Sequence, residues 1–247
     1  MTPLDQKTRF AADLDLPPPF RAKALREVGD AFAHATTVAA REGAGLLVHV
    51  GRYDLAEFAV VLEPDEPLRT ARRAIYAGMV ALADALAAHA PPEKPIAIDW
   101  PDAIRVDGGL VGGGRLGTAP DAKENAPPPW LVFGASIRTV AMGVAEPGLL
   151  PLSAALEDEG FALGDGKLVE SFARHLMTTI DVWQQDGFDE IAQNYLARLK
   201  LTPGVTYAID QNGDLLLRRG GKTERRSLKA VLEAQPSWLD PTTGGPR

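Results

Sequence analysis

The chain has 247 residues, 45% of them hydrophobic and 24% charged, a formal net charge of −7 and no cysteine. This length suits one large domain, or one large and one small. The acidic balance argues against a broad nucleic-acid-binding face, and the missing thiols remove disulfides, thiolate metal sites and every cysteine nucleophile.

Residues 1–20 contain no apolar core of the signal-peptide kind. The longest apolar run, 77–90, is interrupted by Asp84 and is too short to span a bilayer. A cytoplasmic protein is expected, with no membrane and no nucleic acid among its partners. Pro17-Pro18-Pro19 marks an extended lead-in. From Arg21 to Arg41, Leu25, Val28, Phe32, Ala35 and Val38 recur at steps of three or four, which predicts a helix ended by Gly43 and Gly45. Leu46–Val50 and Glu57–Leu62 predict two strands joined by a short polar turn, a hairpin. Pro67–His89 predicts a helix with the apolar stripe Leu68, Ala71, Ile75, Met79, Leu82 and Leu86, stopped by Pro91-Pro92.

The stretch 96–117 reads IAIDWPDAIRVDGGLVGGGRLG. Two β-branched runs flank a Trp100-Pro101-Asp102 corner, and a turn at Asp107-Gly108-Gly109 leads into a glycine-dense strand. Gly112, Gly113 and Gly114 have no side chains, so a ligand or another backbone can approach closely. Asp102 is a candidate ligand-facing carboxylate. The plain alternative for the corner is a core tryptophan at a strand end beside a common Pro-Asp turn.

Residues 118–129 form a polar, proline-rich loop. Trp130–Phe133 starts a strand that continues over Ile137–Val144 past a bend at Gly134. Leu149–Glu159, Lys167–Gln185 and Phe188–Leu199 are predicted helices. Beyond Pro203, VTYAIDQNGDLLLRR alternates on both sides of Asn212-Gly213, a strong hairpin signal, and 223–228 can add a third strand. The divisions expected are a main domain over 1–200, a small β module over 201–234 and a disordered tail over 235–247. The order of elements predicts an α+β fold with a mainly antiparallel sheet.

Gly112 to Gly117 fits the pattern G-x-G-x-x-G, but Pro120 and a polar loop follow where a dinucleotide site needs a helix N-terminus. His34, His49, His89 and His175 share no metal-ligand spacing. Asp181, Asp186, Asp189 and Glu190 read as solvated helix ends, and neither Ser153 nor Ser171 has a G-x-S-x-G context. No metal site is predicted.

Taken with its surroundings, the 96–117 stretch resembles the biotin protein ligase / lipoate ligase family. That family carries a K-W-P-N-D segment, an N-G-x-K-L-A-G-I turn and strand, and a later G-I-G-I-N-V strand. The matching segments here are 99–103 (DWPDA), 107–113 (DGGLVGG) and 134–140 (GASIRTV). The resemblance covers roughly residues 20–230 and lies in the order of segments more than in identity. It implies a ligase-like catalytic domain with an SH3-like C-terminal module. It also implies activation of a small carboxylic acid (biotin, lipoate or a relative) with ATP and magnesium, and transfer of the acyl group to a lysine of a carrier-protein domain. The ligand-binding positions it implies are Arg52, Trp100, Asp102, Gly112, Gly113, Arg115, Gly134, Ser136 and Arg138. No catalytic residue is assigned, because the departures fall on the chemistry. The family lysine aligns with Leu110, the arginine-rich substrate loop is reduced to residues 50–54, and the asparagines of W-P-N-D and G-I-N become Asp102 and Arg138. Losing charge-stabilising donors costs ~10²–10³ in rate each. Arg115, Arg138 and Lys123 are candidates to restore that charge; a non-catalytic ligand- or partner-binding relative is the alternative.

Overall fold

A seven-stranded sheet forms the middle layer of the chain. The computed structural model describes residues 14–27, 29–142, 153–164 and 166–247. Strand β1 (Arg21–Leu25) runs parallel to β2 (Leu46–Gly51) and is joined to it by helix α1 (Ala31–Glu42). Every other pairing in the sheet is antiparallel: β2 with β3 (Leu55–Leu62), β3 with β7 (Leu131–Arg138), β7 with β6 (Gly109–Thr118), and β6 with β5 (Ala103–Val106) and so to β4 (Ile96–Asp99). The expected α+β fold with a mainly antiparallel sheet is the fold observed.

The helix expected from Arg21 begins ten residues later. Gly29-Asp30 interrupts the periodic run, and the Asp30 carboxylate accepts a hydrogen bond from the Ala33 amide at 2.8 Å, an N-cap that fixes where α1 starts. Ahead of it, Arg21–Leu25 finds its backbone partners on β2 and becomes an edge strand. The helix expected over Pro67–His89 is two helices, α2 (Leu68–Ala71) and α3 (Ala74–Ala87). Gly78 of α3 carries no side chain because the Phe133 ring occupies that space. In β7 there is no break at Gly134, and the strand ends at Arg138. Of the helix expected over 149–159, residues 149–152 lie outside the described residues, and 153–159 form a bridge and turns.

One face of the sheet is covered by α3, by α4 (Lys167–Asp186) and by α5 (Phe188–Leu196). Their apolar stripes pack on Leu47, Phe58, Val60, Phe133, Ala135 and Ile137 to form the main core. Helix α1 covers Val48, Val50, Ala59, Val61 and Val132 on the opposite face. A three-stranded antiparallel sheet follows, with β8 (Thr206–Ile209), β9 (Leu215–Arg219) and β10 (Lys222–Arg226) around turns at Gly213 and Gly220-Gly221, and then α6 (Leu228–Glu233). It fits the small β module expected from the Asn-Gly hairpin. Its turn docks on α3, where the Tyr76 hydroxyl donates to the Gly213 carbonyl at 2.5 Å and Arg73 donates to the Gln211 carbonyl at 2.9 Å. Residues 235–247, expected as a disordered tail, fold back on the main sheet with Trp238 1% exposed and Leu239 7% exposed. No helix among the described residues is long and apolar enough to cross a membrane.

Candidate functional site

The period of two along a strand, combined with the register, decides which side chains share a face. Gly113 pairs with Ser136, and Arg115 with Gly134. Ser136 pairs in turn with Glu57, and Arg138 with Leu55. Ala103 pairs with Gly113, and a bulge after Ile104 sets Arg105 opposite Leu110. All of these residues therefore lie on the face that carries α1. Six of the nine positions singled out from sequence meet here or at its edge: Asp102, Gly113, Arg115, Gly134, Ser136 and Arg138.

The other three do not join them. Trp100 turns to the opposite face, where its indole N–H donates to the Tyr76 hydroxyl at 3.0 Å and its ring packs on the main core. That is the core-tryptophan alternative. Gly112 also faces the other way. Its φ of 152° and the carbonyl of Ser136, which occupies the place of a β-carbon, demand glycine there. Arg52 stands at the tip of the β2–β3 hairpin with its guanidinium closed on Asp54 through bonds of 3.1 and 2.8 Å. It lines a separate cavity of about 530 Å³ beside His49, Thr139 and Phe161. Lys123 belongs to the loop bonded to the start of α2.

The glycines of β6 are approached closely, as expected, but by the chain itself. A β-carbon on Gly113 would stand 2.6 Å from ring atoms of Trp238, and on Gly114 2.8 Å from Met79 and Phe133. On the neighbouring strand a β-carbon on Gly134 would stand 2.6 Å from the Phe32 ring. Arg115 stacks over Phe32 at 4.1 Å and pairs with Asp30 at 3.1 Å. Arg138 donates to the Ser153 hydroxyl and, at 2.5 Å, to the Pro246 carbonyl. Burial lowers the pKa of both arginines, against the nearby carboxylates.

Four groups on this face carry unusual protonation or hydrogen bonding. Burial raises the Asp102 carboxyl to about 7, a rise opposed by the Trp238 indole and by its own backbone amide. The indole N–H eases the charge without reaching hydrogen-bond geometry, and Trp238 Nε1 is left buried with no partner. Ser136 Oγ is also buried without one, although Ser136 is only 3% exposed. Glu57 accepts the Ala31 amide of α1 at 2.8 Å, and burial raises its pKa. Glu57 and Trp238 were not singled out from sequence, and Ser153 only as a serine without the G-x-S-x-G context of a hydrolase. A lone acid in the apolar run EFAVVL, and a Trp-Leu pair inside a proline- and glycine-rich stretch, were the signals available.

Residues 16–197 match the biotin/lipoate A/B protein ligase family. The chain belongs to that family. Among solved structures, a biotin protein ligase-like protein of unknown function from Silicibacter sp. TM1040 is 27% identical. It superimposes with a TM-score of 0.78 over 90% of this chain and 100% of that one. The biotin protein ligase of Aquifex aeolicus, in complex with biotin and ATP, is 13% identical, with a TM-score of 0.65 over 83% and 94%. The Leishmania major biotin protein ligase, in complex with biotinyl-5-AMP, is 17% identical, with a TM-score of 0.56 over 85% and 100%. These last two likenesses concern the fold. No curated protein matches the sequence.

Proposed function

We propose that this ligase-family chain binds a small carboxylic acid or its adenylate on the α1 face of the sheet, and that it passes the acyl group to a lysine of a carrier-protein domain. The observation that carries the reading is the register. Gly113, Arg115, Gly134, Ser136 and Arg138, from β6 and β7, share one side of the sheet, and Asp102, at the corner before β5, lines the same cavity as Arg115. The family's biotin- and biotinyl-5-AMP-bound enzymes support a ligand of this chemistry. A cytoplasmic location belongs to the same proposal.

In adenylate formation a carboxylate oxygen attacks the α-phosphorus of ATP and pyrophosphate leaves. Negative charge builds on the phosphate oxygens, and preorganised cations oppose it. Arg115 and Arg138 are the cations at hand. Asp102, with a pKa near neutrality, is in part a neutral carboxylic acid, close in shape and charge to the asparagine of the family segment. ATP, when bound, supplies the adenylyl group. Among the described residues no group of three or more His, Cys, Asp or Glu can hold a metal ion. The donor set therefore fits an anion and not a protein-built metal cage. Magnesium would arrive on the triphosphate, as is usual for an ion that keeps most of its waters.

A second reading is a family member that binds a ligand or partner without catalysis. Leu110 favours it, since an apolar side chain stands where the family lysine is expected, and so does the covering of the face by Trp238. The test is pyrophosphate exchange by purified protein with ATP and magnesium in the presence of biotin, lipoate or octanoate. Exchange above background with any of the three supports the enzymatic reading. No exchange with any of them sinks it and leaves calorimetric binding of the acids and their adenylates to decide the second.

A further inference from the structure

Residues 238–247 form a small closed loop lying on the proposed acid site. The Arg247 amide donates to the Trp238 carbonyl at 2.8 Å, Leu239 bridges to Pro246, the Asp240 amide donates to the Gly245 carbonyl at 2.8 Å, and the Gly244 amide to the Asp240 carbonyl at 2.9 Å. The loop thus satisfies much of its own backbone. It adds no strand to the main sheet. It is held there by side-chain packing of Trp238 and Leu239 against Ala103 and Leu110, by the Arg138 bond to the Pro246 carbonyl and by the Ser153 hydroxyl bond to the Arg247 carbonyl at 3.0 Å. Glu233, Ala234, Gln235 and Ser237, which lead into it from α6, are exposed.

The fit is close in shape and incomplete in polarity. The indole fills the space over Gly113 with its N–H near Asp102 but outside hydrogen-bond geometry, and the Ser136 hydroxyl is buried without a partner. Arg138 bonds a neutral carbonyl and a hydroxyl, while Asp54 acts on it only through space, beyond ion-pair distance. A permanent core contact would satisfy such groups. A carboxylate or phosphate would give Arg138 a charge-assisted partner and Ser136 an acceptor. A cavity of about 410 Å³, lined by Asp30, Phe32, Asp102, Arg115 and Leu239, remains open beside the loop, so an anionic ligand has an edge from which to enter.

From these contacts we infer that residues 238–247 are an intramolecular occupant of the acid site, with Trp238 as its anchor, and that an acyl-adenylate binds by displacing them. The inference rests on the proposed acid site. It makes the chain self-inhibited: apparent affinity is the intrinsic affinity reduced by the fraction of molecules with the loop lifted.

The experiment uses the full chain and a stable sulfamate analogue of biotinyl-adenylate. The analogue is titrated by calorimetry into the unmodified protein and into Trp238→Ala, whose folding is checked by circular dichroism. The expected result is binding at least about tenfold tighter in the variant, with faster hydrogen exchange at the amides of Asp240, Gly244 and Arg247 when the analogue binds the unmodified chain. Equal or weaker binding by a folded variant, or slower exchange at those amides, overturns the inference, because the loop is then a wall of the site. Absence of binding to either protein also removes the acid-site reading, an outcome distinct from equal binding. If Trp238→Ala does not fold, Leu239→Ala loosens the same loop, and the exchange measurement needs no substitution.

Discussion

Gly113 and Trp238 fit one another: a β-carbon on the glycine would stand 2.6 Å from Cε2 and Nε1 of the indole. The same β-carbon would also meet the backbone carbonyl of Asp102, which accepts the Gly114 amide at 2.8 Å. Gly113→Ala must therefore move a backbone atom as well as a ring. The expected cost is about 1–3 kcal/mol, the usual range for overpacking a tight core, with a red shift in tryptophan emission as Trp238 lifts. Chemical denaturation followed by fluorescence measures both. Adding Trp238→Ala recovers only part of the loss, since the Asp102 carbonyl stays in place. Full recovery would mean that the ring alone sets the constraint.

That relationship also shows how far the sequence could be read. The glycine run at 112–114 announced close approach, and that approach exists, but glycine does not say what approaches. Three different neighbours use the three residues: a backbone carbonyl at Gly112, an indole from more than 120 positions away at Gly113, and Met79 with Phe133 at Gly114. The ordered segments 99–103, 107–113 and 134–140 identified the fold because local pattern and family order agree there. The start of α1 was legible only through the Gly29-Asp30 cap, which competes with a helical periodicity that happens to run through β1. The packing of 235–247 depends on a long-range cavity above Gly113 and Ala103. Composition alone, rich in proline and glycine, pointed the other way.

Asp102 should make stability fall as pH rises. Its carboxyl is raised from 3.8 to about 7 by burial, so the folded state holds a proton that the unfolded state has released. Stability from this group is fully present below about pH 4, declines between pH 4 and 7, and is flat above that. Asp102→Asn keeps the shape and removes the titration. It should match the unmodified protein near pH 4 and exceed it near pH 8, by up to a few kcal/mol at about 1.4 kcal/mol per pKa unit. Glu57, also raised by burial, leaves a smaller slope of the same sign in the variant. Thermal unfolding at pH 5 and 8 decides, and a variant no more stable than the parent at pH 8 would contradict the assignment.

Tyr76 joins three elements through one oxygen. Its hydroxyl donates to the Gly213 carbonyl at 2.5 Å and accepts the Trp100 indole N–H at 3.0 Å, in a site where burial raises its own pKa far above the ordinary phenol. Tyr76→Phe leaves that indole N–H and the Gly213 carbonyl without their partner. A loss of about 1–3 kcal/mol is expected, with faster hydrogen exchange at Gly213 and Asp214, whose turn the hydroxyl secures. A change in stability with no change in exchange at that turn would show that the packing of the ring, and not its hydroxyl, holds the three-stranded sheet to α3.

Leu110 decides between the two functional readings. It lies on the face of the proposed acid site, opposite Arg105 across the bulge, and packs under Trp238 and Leu239. Leu110→Lys alone places an ammonium group beneath an apolar loop, so exchange should not rise above the parent's and stability should drop modestly as the lysine displaces the packing. Leu110→Lys together with Trp238→Ala opens the face and adds a cation where charge develops in adenylate formation. Pyrophosphate exchange with biotin or lipoate should then rise by roughly 10²-fold or more over the parent, the order associated with one preorganised charge-stabilising donor. If the double variant binds the adenylate analogue but exchanges no pyrophosphate, the deficit extends beyond the missing lysine. The shortened 50–54 loop, with Arg52 committed to Asp54 at 2.8 Å, is then the next position that separates this chain from an active ligase.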